Sequence, residues 1–209
     1  TMLIAVVAQK GGVGKSSLAR TLAVEFTRSG WNTLLADVDT SQATSNRWAE
    51  KRRSVAGIEP AVRTEAFRLT SQAIQATANH DVVVLDGAPH ATRGTAEAAA
   101  AAQLVLIPTG TSLDDLEPSI LLASELANSL NSPRIAFALY KCSSDAQARE
   151  ARETLEQYGY TVVPGHIPIK TGYIEAFDAG RCATETKYPN LNTMAAEVVS
   201  GVADLIRSA

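Results

Sequence analysis

Cysteine is scarce: Cys142 and Cys182 are the only two, far apart and without a Cys-x-x-Cys spacing. That excludes a disulfide framework, and two reduced thiols in a cytosolic protein are the expectation. Histidine is almost as rare. His80, His90 and His166 are scattered without metal-ligand spacing and read as surface or loop residues. No apolar run approaches the roughly eighteen residues that a membrane span needs. The apolar opening at residues 3–8 lacks a basic flank and reads as a buried strand, not a signal peptide, with Met2 the expected natural start. An excess of one charge is missing too. A net charge of -3 and an isoelectric point near 5.6 exclude a generically basic nucleic-acid binder, so any DNA contact needs a local patch. There is no Gly-x-Ser-x-Gly elbow, no internal repeat and no linker rich in Pro, Gly or Ser. The expectation is a single domain over residues 1–209.

What is present is ordinary for a soluble globular chain, 45% hydrophobic and 20% charged, which excludes fibrous and disordered classes. Short runs at residues 3–8, 33–36, 81–85 and 104–107 are continuously apolar instead of alternating. Strands buried on both faces of a parallel sheet read this way. Runs at 134–139 and 160–163 extend the series, and helical stretches at 17–29, 43–53, 69–79, 94–101, 116–130, 146–158 and 192–208 lie between them. The alternation predicts an α/β fold, a doubly wound, mostly parallel sheet flanked by helices.

The first strand runs into Gln9-Lys10-Gly11-Gly12-Val13-Gly14-Lys15-Ser16-Ser17, and a helix follows. Strand, glycine-rich turn and helix N-terminus together make an anion site, because backbone N–H groups converge where the helix dipole is positive. Lys15 would reach the β- and γ-phosphates of a nucleotide and the Ser16 hydroxyl would ligate Mg²⁺. The ordinary Walker A pattern requires glycine where Gln9 stands. Lys-Gly-Gly-x-Gly-Lys-[Ser/Thr]-[Ser/Thr], the deviant Walker A motif, fits instead. An apolar strand ending at Asp86 is the Walker B arrangement, with the carboxylate placed for Mg²⁺.

Residues 10–17 resemble the ParA/MinD family of deviant Walker A ATPases, and the likeness runs through most of the chain, closest to the short ParF-like members. It implies a P-loop ATPase using ATP and Mg²⁺ that forms a nucleotide-sandwich homodimer, with Lys10 crossing the interface to the partner's phosphates. The segment Asp37-Val38-Asp39-Thr40-Ser41-Gln42 resembles switch I, with Thr40-Ser41 replacing the family's single proline. By position, Asp39 would orient the attacking water and Asp37 would support the Mg²⁺ shell. From the residues alone, the lesser alternative is that either caps the next helix. Asp86-Gly87-Ala88 resembles switch II, where the Gly87 N–H would approach the γ-phosphate. The phosphate cradle would comprise Gly11, Gly12, Val13, Gly14, Lys15, Ser16 and Ser17. Leu106-Ile107-Pro108, then Leu113-Asp114-Asp115, looks like the segment at the dimer face. The stretch from His166 to Gly180 resembles the region carrying adenine contacts, which puts Pro168 near the base. Lys170, Arg181 and Lys187 fall where relatives bind nucleoid DNA.

The resemblance implies further partners: duplex DNA bound without sequence preference, and a ParB-like or cargo-adaptor protein that stimulates hydrolysis. It also implies a cytoplasmic protein that joins the nucleoid when ATP is bound. Residues 134–209 hold eight Lys/Arg and nine Asp/Glu, so any DNA face must be gathered by geometry. Arg47, Lys51, Arg52 and Arg53 read either as a solvated helix end or as a partner or DNA contact. One alternative is a MinD-like membrane-associated regulator. Against it, Val198, Val199, Val202, Leu205 and Ile206 look like a core-facing stripe, not a lipid-facing one. A metabolic or iron–sulfur member of the superfamily is the other, and there Cys142 and Cys182 read as buried thiols, not cluster ligands.

Overall fold

The computed structural model describes residues 1–39, 44–55, 57–89, 93–130 and 134–208. Seven strands lie side by side: β1 (Met2–Ala8), β2 (Thr33–Asp37), β3 (Arg63–Ala66), β4 (Val82–Pro89), β5 (Leu104–Thr109), β6 (Ile135–Cys142) and β7 (Thr161–Val162). Their order is β3-β2-β4-β1-β5-β6-β7, and a short eighth strand, β8 (Ile167–Pro168), pairs beyond β7 with the end of β6. Every pairing is parallel.

The helices are α1 (Lys15–Arg28), α2 (Thr44–Ser54), α3 (Thr70–Gln75), α4 (Arg93–Ala101), α5 (Leu113–Ser129), α6 (Asp145–Gln157), α7 (Thr171–Asp178) and α8 (Pro189–Arg207). Strand residues point alternately to the two faces. Ile4, Val6, Val82, Val84, Leu104 and Leu106 join one core with α1, α2, α7 and α8. Leu3, Ala5, Val7, Val83, Leu85, Val105 and Ile107 join a second with α3, α4, α5 and α6. Both faces are therefore covered, which is why these strands read as unbroken apolar runs.

The differences from expectation fall at edges. β3 is absent from the apolar pattern because it is an outer strand of sequence Arg-Thr-Glu-Ala, largely exposed, with no buried face to mark it. β4 continues through Asp86, Gly87 and Ala88 to Pro89. α1 begins two residues early, at Lys15, so the motif lysine is itself helical. His80 lies in the loop before β4, one of the two settings expected for it, but is buried there with Nδ1 2.8 Å from the Ala76 carbonyl. His90 and Thr40 to Ser41 lie outside the described residues.

One helix-end cation departs from both earlier readings. Arg52 is 1% exposed. Its Nε donates to the Pro60 carbonyl at 2.9 Å, and its Nη1 to the Gly180 carbonyl at 3.1 Å. Nη1 and Nη2 grip Glu185 at 2.7 and 2.9 Å. The guanidinium also lies 5.7 Å from the Trp48 ring centre, and the Trp48 indole donates to the Arg181 carbonyl at 2.9 Å. α2 is thereby fixed to the segment around residues 180–185. Burial opposes charge on Glu185, but its bonds to Arg52 outweigh that and hold the carboxyl below its ordinary value.

Removing one partner of a buried pair strands the other charge. Arg52→Met should lower unfolding free energy by about 3 kcal/mol in urea titration. Glu185→Gln should also destabilise. Because the folded carboxyl is depressed, wild-type advantage over Glu185→Gln should be full above about pH 4.5 and fade as pH falls below it. An advantage that persists unchanged at pH 3 would contradict the assignment.

Candidate functional site

The strand order places β4 between β1 and β2, so three C-terminal strand ends meet where β1 turns into α1. Asp86 on β4 is in register with Val6 of β1 and Asp37 of β2. The phosphate loop rises from β1 above them. Gly12 and Gly14 have φ of 82° and 99°, values that L-residues rarely adopt. A Cβ at Gly14 would also lie 2.2 Å from the Tyr140 ring on β6. Gly11 is different: its φ is ordinary and a Cβ there would meet nothing within 4 Å. Packing within the chain does not require glycine at 11, and the space beside it is open.

The loop encloses a cavity of about 180 Å³ lined by Gly11, Gly12, Gly14, Lys10, Lys15, Ser16, Ser17, Asp39, Thr44 and Lys141. α1 starts here with no side-chain cap on its first turn and no acidic residue in it, so its N–H groups and dipole face an anion unopposed. Val13 is buried beneath the loop.

Asp86 is the hub. Its Oδ1 receives the Lys15 ammonium at 2.7 Å and the Ser16 hydroxyl at 3.1 Å. Its Oδ2 receives the Ser45 hydroxyl at 2.8 Å. Asp37, fully buried, accepts from the Asp39 N–H at 3.0 Å and the Ser45 N–H at 3.1 Å. The bond to Ser45 ties Asp37 to the first turn of α2, so capping and proximity to Asp86 coexist in one carboxylate. Burial, reinforced by the neighbouring Asp86 charge, raises the Asp37 pKa. Ser45 and Arg20, whose Nε donates to Ser45 Oγ at 3.0 Å, were not legible in sequence, since neither belongs to a motif.

Lys10 is set apart from Lys15. It stands exposed at the cavity rim, its ammonium on Asp115 Oδ1 at 2.7 Å and 3.5 Å from the Asp114 carbonyl. The hydrogen bond to Asp115 raises its pKa and keeps it charged. Gly87 abuts β1, where a Cβ would fall 2.9 Å from the Val6 carbonyl. Pro168 sits on β8 beside Cys142 and does not line the cavity. Nor do Lys170, Arg181 and Lys187. All three are exposed, and Lys187 is paired with Glu175 at 2.8 Å. Both cysteines are buried with thiols pushed up to about 12 by burial, which makes them inert.

The donor set suits a hard cation. Ser16 Oγ, Asp86 and Asp37 offer oxygen only, the donor type that hard cations prefer. Among the described residues no group of three or more His, Cys, Asp or Glu could hold a metal. An ion here would complete its shell with phosphate oxygens and water, as magnesium does.

A parallel sheet with a glycine loop opening onto an uncapped helix N-terminus defines a nucleotide-binding α/β protein of the P-loop type. The chain matches the CobQ/CobB/MinD/ParA nucleotide binding domain over residues 4–181 and belongs to that family. No curated protein sequence matches it. Among solved structures it is similar to the septum site-determining protein MinD of Pyrococcus horikoshii complexed with Mg-ADP, with TM-score 0.76, 15% identity, and 98% and 96% of the two chains covered. It is also similar to an ATP complex of McdA from Cyanothece, with TM-score 0.71, 16% identity and coverage of 97% and 96%. A protein described as a plasmid partition protein from Borrelia burgdorferi, bound to AMPPNP, gives TM-score 0.74, 14% identity and coverage of 97% and 98%. At these identities the likeness establishes the fold.

Gly14→Ala sets a Cβ against the Tyr140 ring and demands a strained backbone, so loop and β6 must part. Mg-ATP affinity should fall by at least about tenfold, together with a lower thermal midpoint. Calorimetric titration checks the first and a melting curve the second.

Proposed function

We propose that this chain is an ATPase of the partition or positioning kind, working as one domain. The observation that supports it best is the division of labour between two lysines of one loop. Lys15 is buried on Asp86 inside the cavity, whereas Lys10 is exposed at its rim, where a second subunit would meet it. Lys15 would bind the β- and γ-phosphates together with the N–H groups of Gly11, Gly12, Val13, Gly14, Ser16 and Ser17. Ser16, Asp86 and Asp37 would hold Mg²⁺, which when bound neutralises phosphate charge. Asp39, at the cavity wall, would orient the attacking water, and the Gly87 N–H would face the terminal phosphate. Pro168 would border the base.

In this reading ATP joins two subunits into a sandwich, with Lys10 of each neutralising phosphate charge across the interface. The dimer binds duplex DNA through phosphate contacts by Lys170, Arg181 and Lys187, and an adaptor stimulates hydrolysis to release it. The protein would sit in the cytoplasm, on the nucleoid while ATP is bound. Of the α8 stripe, Val198 and Val202 are buried in the core and Val199, Leu205 and Ile206 are half-buried against it, which supports the core-facing reading over a membrane-associated regulator.

Two variants test the chemistry together. Asp39→Ala should bind Mg-ATP, accumulate as a dimer and lose turnover by orders of magnitude, because water orientation acts on the transition state. Lys10→Ala should bind ATP as a monomer and lose both dimerisation and turnover, since apposed triphosphates repel without their cation. Sizing chromatography with ATP beside a phosphate-release assay reads both. Normal dimerisation and hydrolysis by Lys10→Ala would remove the main support.

DNA binding has its own check. The ATP-bound protein should retain duplex DNA of any sequence, more weakly as salt rises, and Lys170→Glu should impair this while sparing dimerisation. No retention at low salt would defeat the nucleoid reading.

A further inference from the structure

A third lysine stands at the same cavity, and no motif names it. Lys141 lies at the C-terminal end of β6 between two buried residues, Tyr140 and Cys142. Those neighbours pair with Ile167 and Pro168 of β8, but the register shifts between them and Lys141 is turned outward into solvent. Its φ is 58°, the one positive value outside glycine among the described residues. A left-handed backbone is unfavourable for a residue bearing a Cβ, and such outliers mark places where the surrounding structure demands the placement.

What the placement achieves is visible. The Lys141 ammonium donates to the Gly12 carbonyl at 2.6 Å, reaching from β6 to the phosphate loop. Lys10 and Lys15 are each held by a carboxylate. No described carboxylate lies within 4 Å of Lys141, so its charge rests on that one neutral carbonyl. Gly12 has φ of 82° and no side chain to anchor it, so on that side the Lys141 bond adds to the hold that buried Val13 gives the following peptide. In a trans peptide the C=O and N–H point opposite ways. Holding the Gly12 carbonyl therefore also sets the direction of the Val13 N–H.

We propose that Lys141 is a positioning residue of the phosphate loop, locking the Gly12–Val13 peptide in the orientation that receives a nucleotide's phosphates. The inference rests on the nucleotide reading of the cavity. Together with Tyr140, whose ring fills the space beside Gly14, it makes the end of β6 the support on which the loop is preset.

The test uses the full chain, with Mg-ADP as probe and affinity read by titration calorimetry. Lys141→Met should weaken binding by about tenfold, the effect expected for one charge-assisted hydrogen bond. Lys141→Arg should restore most of it. Lys141→Gly is the discriminating variant: relief of the left-handed backbone offsets the chain entropy that glycine adds to the unfolded state, so the denaturation midpoint should be held or raised while affinity falls as in Lys141→Met. A mere structural strut would lower midpoint and affinity together, and that result would overturn the proposal. So would wild-type affinity in Lys141→Met. If wild type itself binds no Mg-ADP, the nucleotide reading falls and this inference with it.

Discussion

The buried ion pair between Lys15 and Asp86 is the contact on which the rest of the site depends. It joins the first residue of α1 to β4 across the sheet's centre. A buried pair of this kind adds little net stability, since desolvating both charges offsets their attraction. Its value lies in placement. Asp86 simultaneously receives Ser16 from α1 and Ser45 from α2, and Ser45 in turn donates its N–H to Asp37. Four elements therefore converge on two carboxylates before any ligand arrives. Burial first, and the neighbouring Asp86 second, raise the pKa of Asp37, so both oppose its ionisation while no cation is bound.

Around this hub the loop is shaped by close backbone approaches. Gly14 leaves room for the Tyr140 ring, and Gly87 leaves room for the Val6 carbonyl. Gly11 answers to neither demand, and the space beside it is open. Packing thus requires Gly14 in the loop and Gly87 on β4 but not Gly11, although a motif treats loop glycines alike.

α2 carries the connection outward. Its first turn supplies Ser45 to the carboxylates, its middle places Trp48 under the Arg181 carbonyl, and its last turn buries Arg52 on Glu185 and the Gly180 carbonyl. The Asp37–Asp86 pair and the segment bearing Arg181 are therefore tied to one helix. From sequence, the cluster Arg47, Lys51, Arg52 and Arg53 gave no hint that one member is core. Helical spacing alone cannot tell a solvated cation from one paired with a residue more than a hundred positions away.

By itself the sequence determined the central strands, because strands covered on both faces must be continuously apolar, and the phosphate loop, because its glycines and lysines follow one another along the chain. Asp37 and Asp86 were legible for the same local reason, each ending an apolar run. Only the tertiary structure decided what reaches these residues from elsewhere: Ser45 bridging the two carboxylates, Asp115 holding Lys10, Tyr140 and Lys141 supporting the loop, and Arg52 buried. The edge strand β3 belongs with them, since an exposed strand needs no apolar face. The physical reason is common to all. Periodicity and motif record the interactions of neighbours along the chain, whereas a hydrogen bond between residues 129 positions apart, such as that from Lys141 to Gly12, exists only once the sheet has brought its ends together.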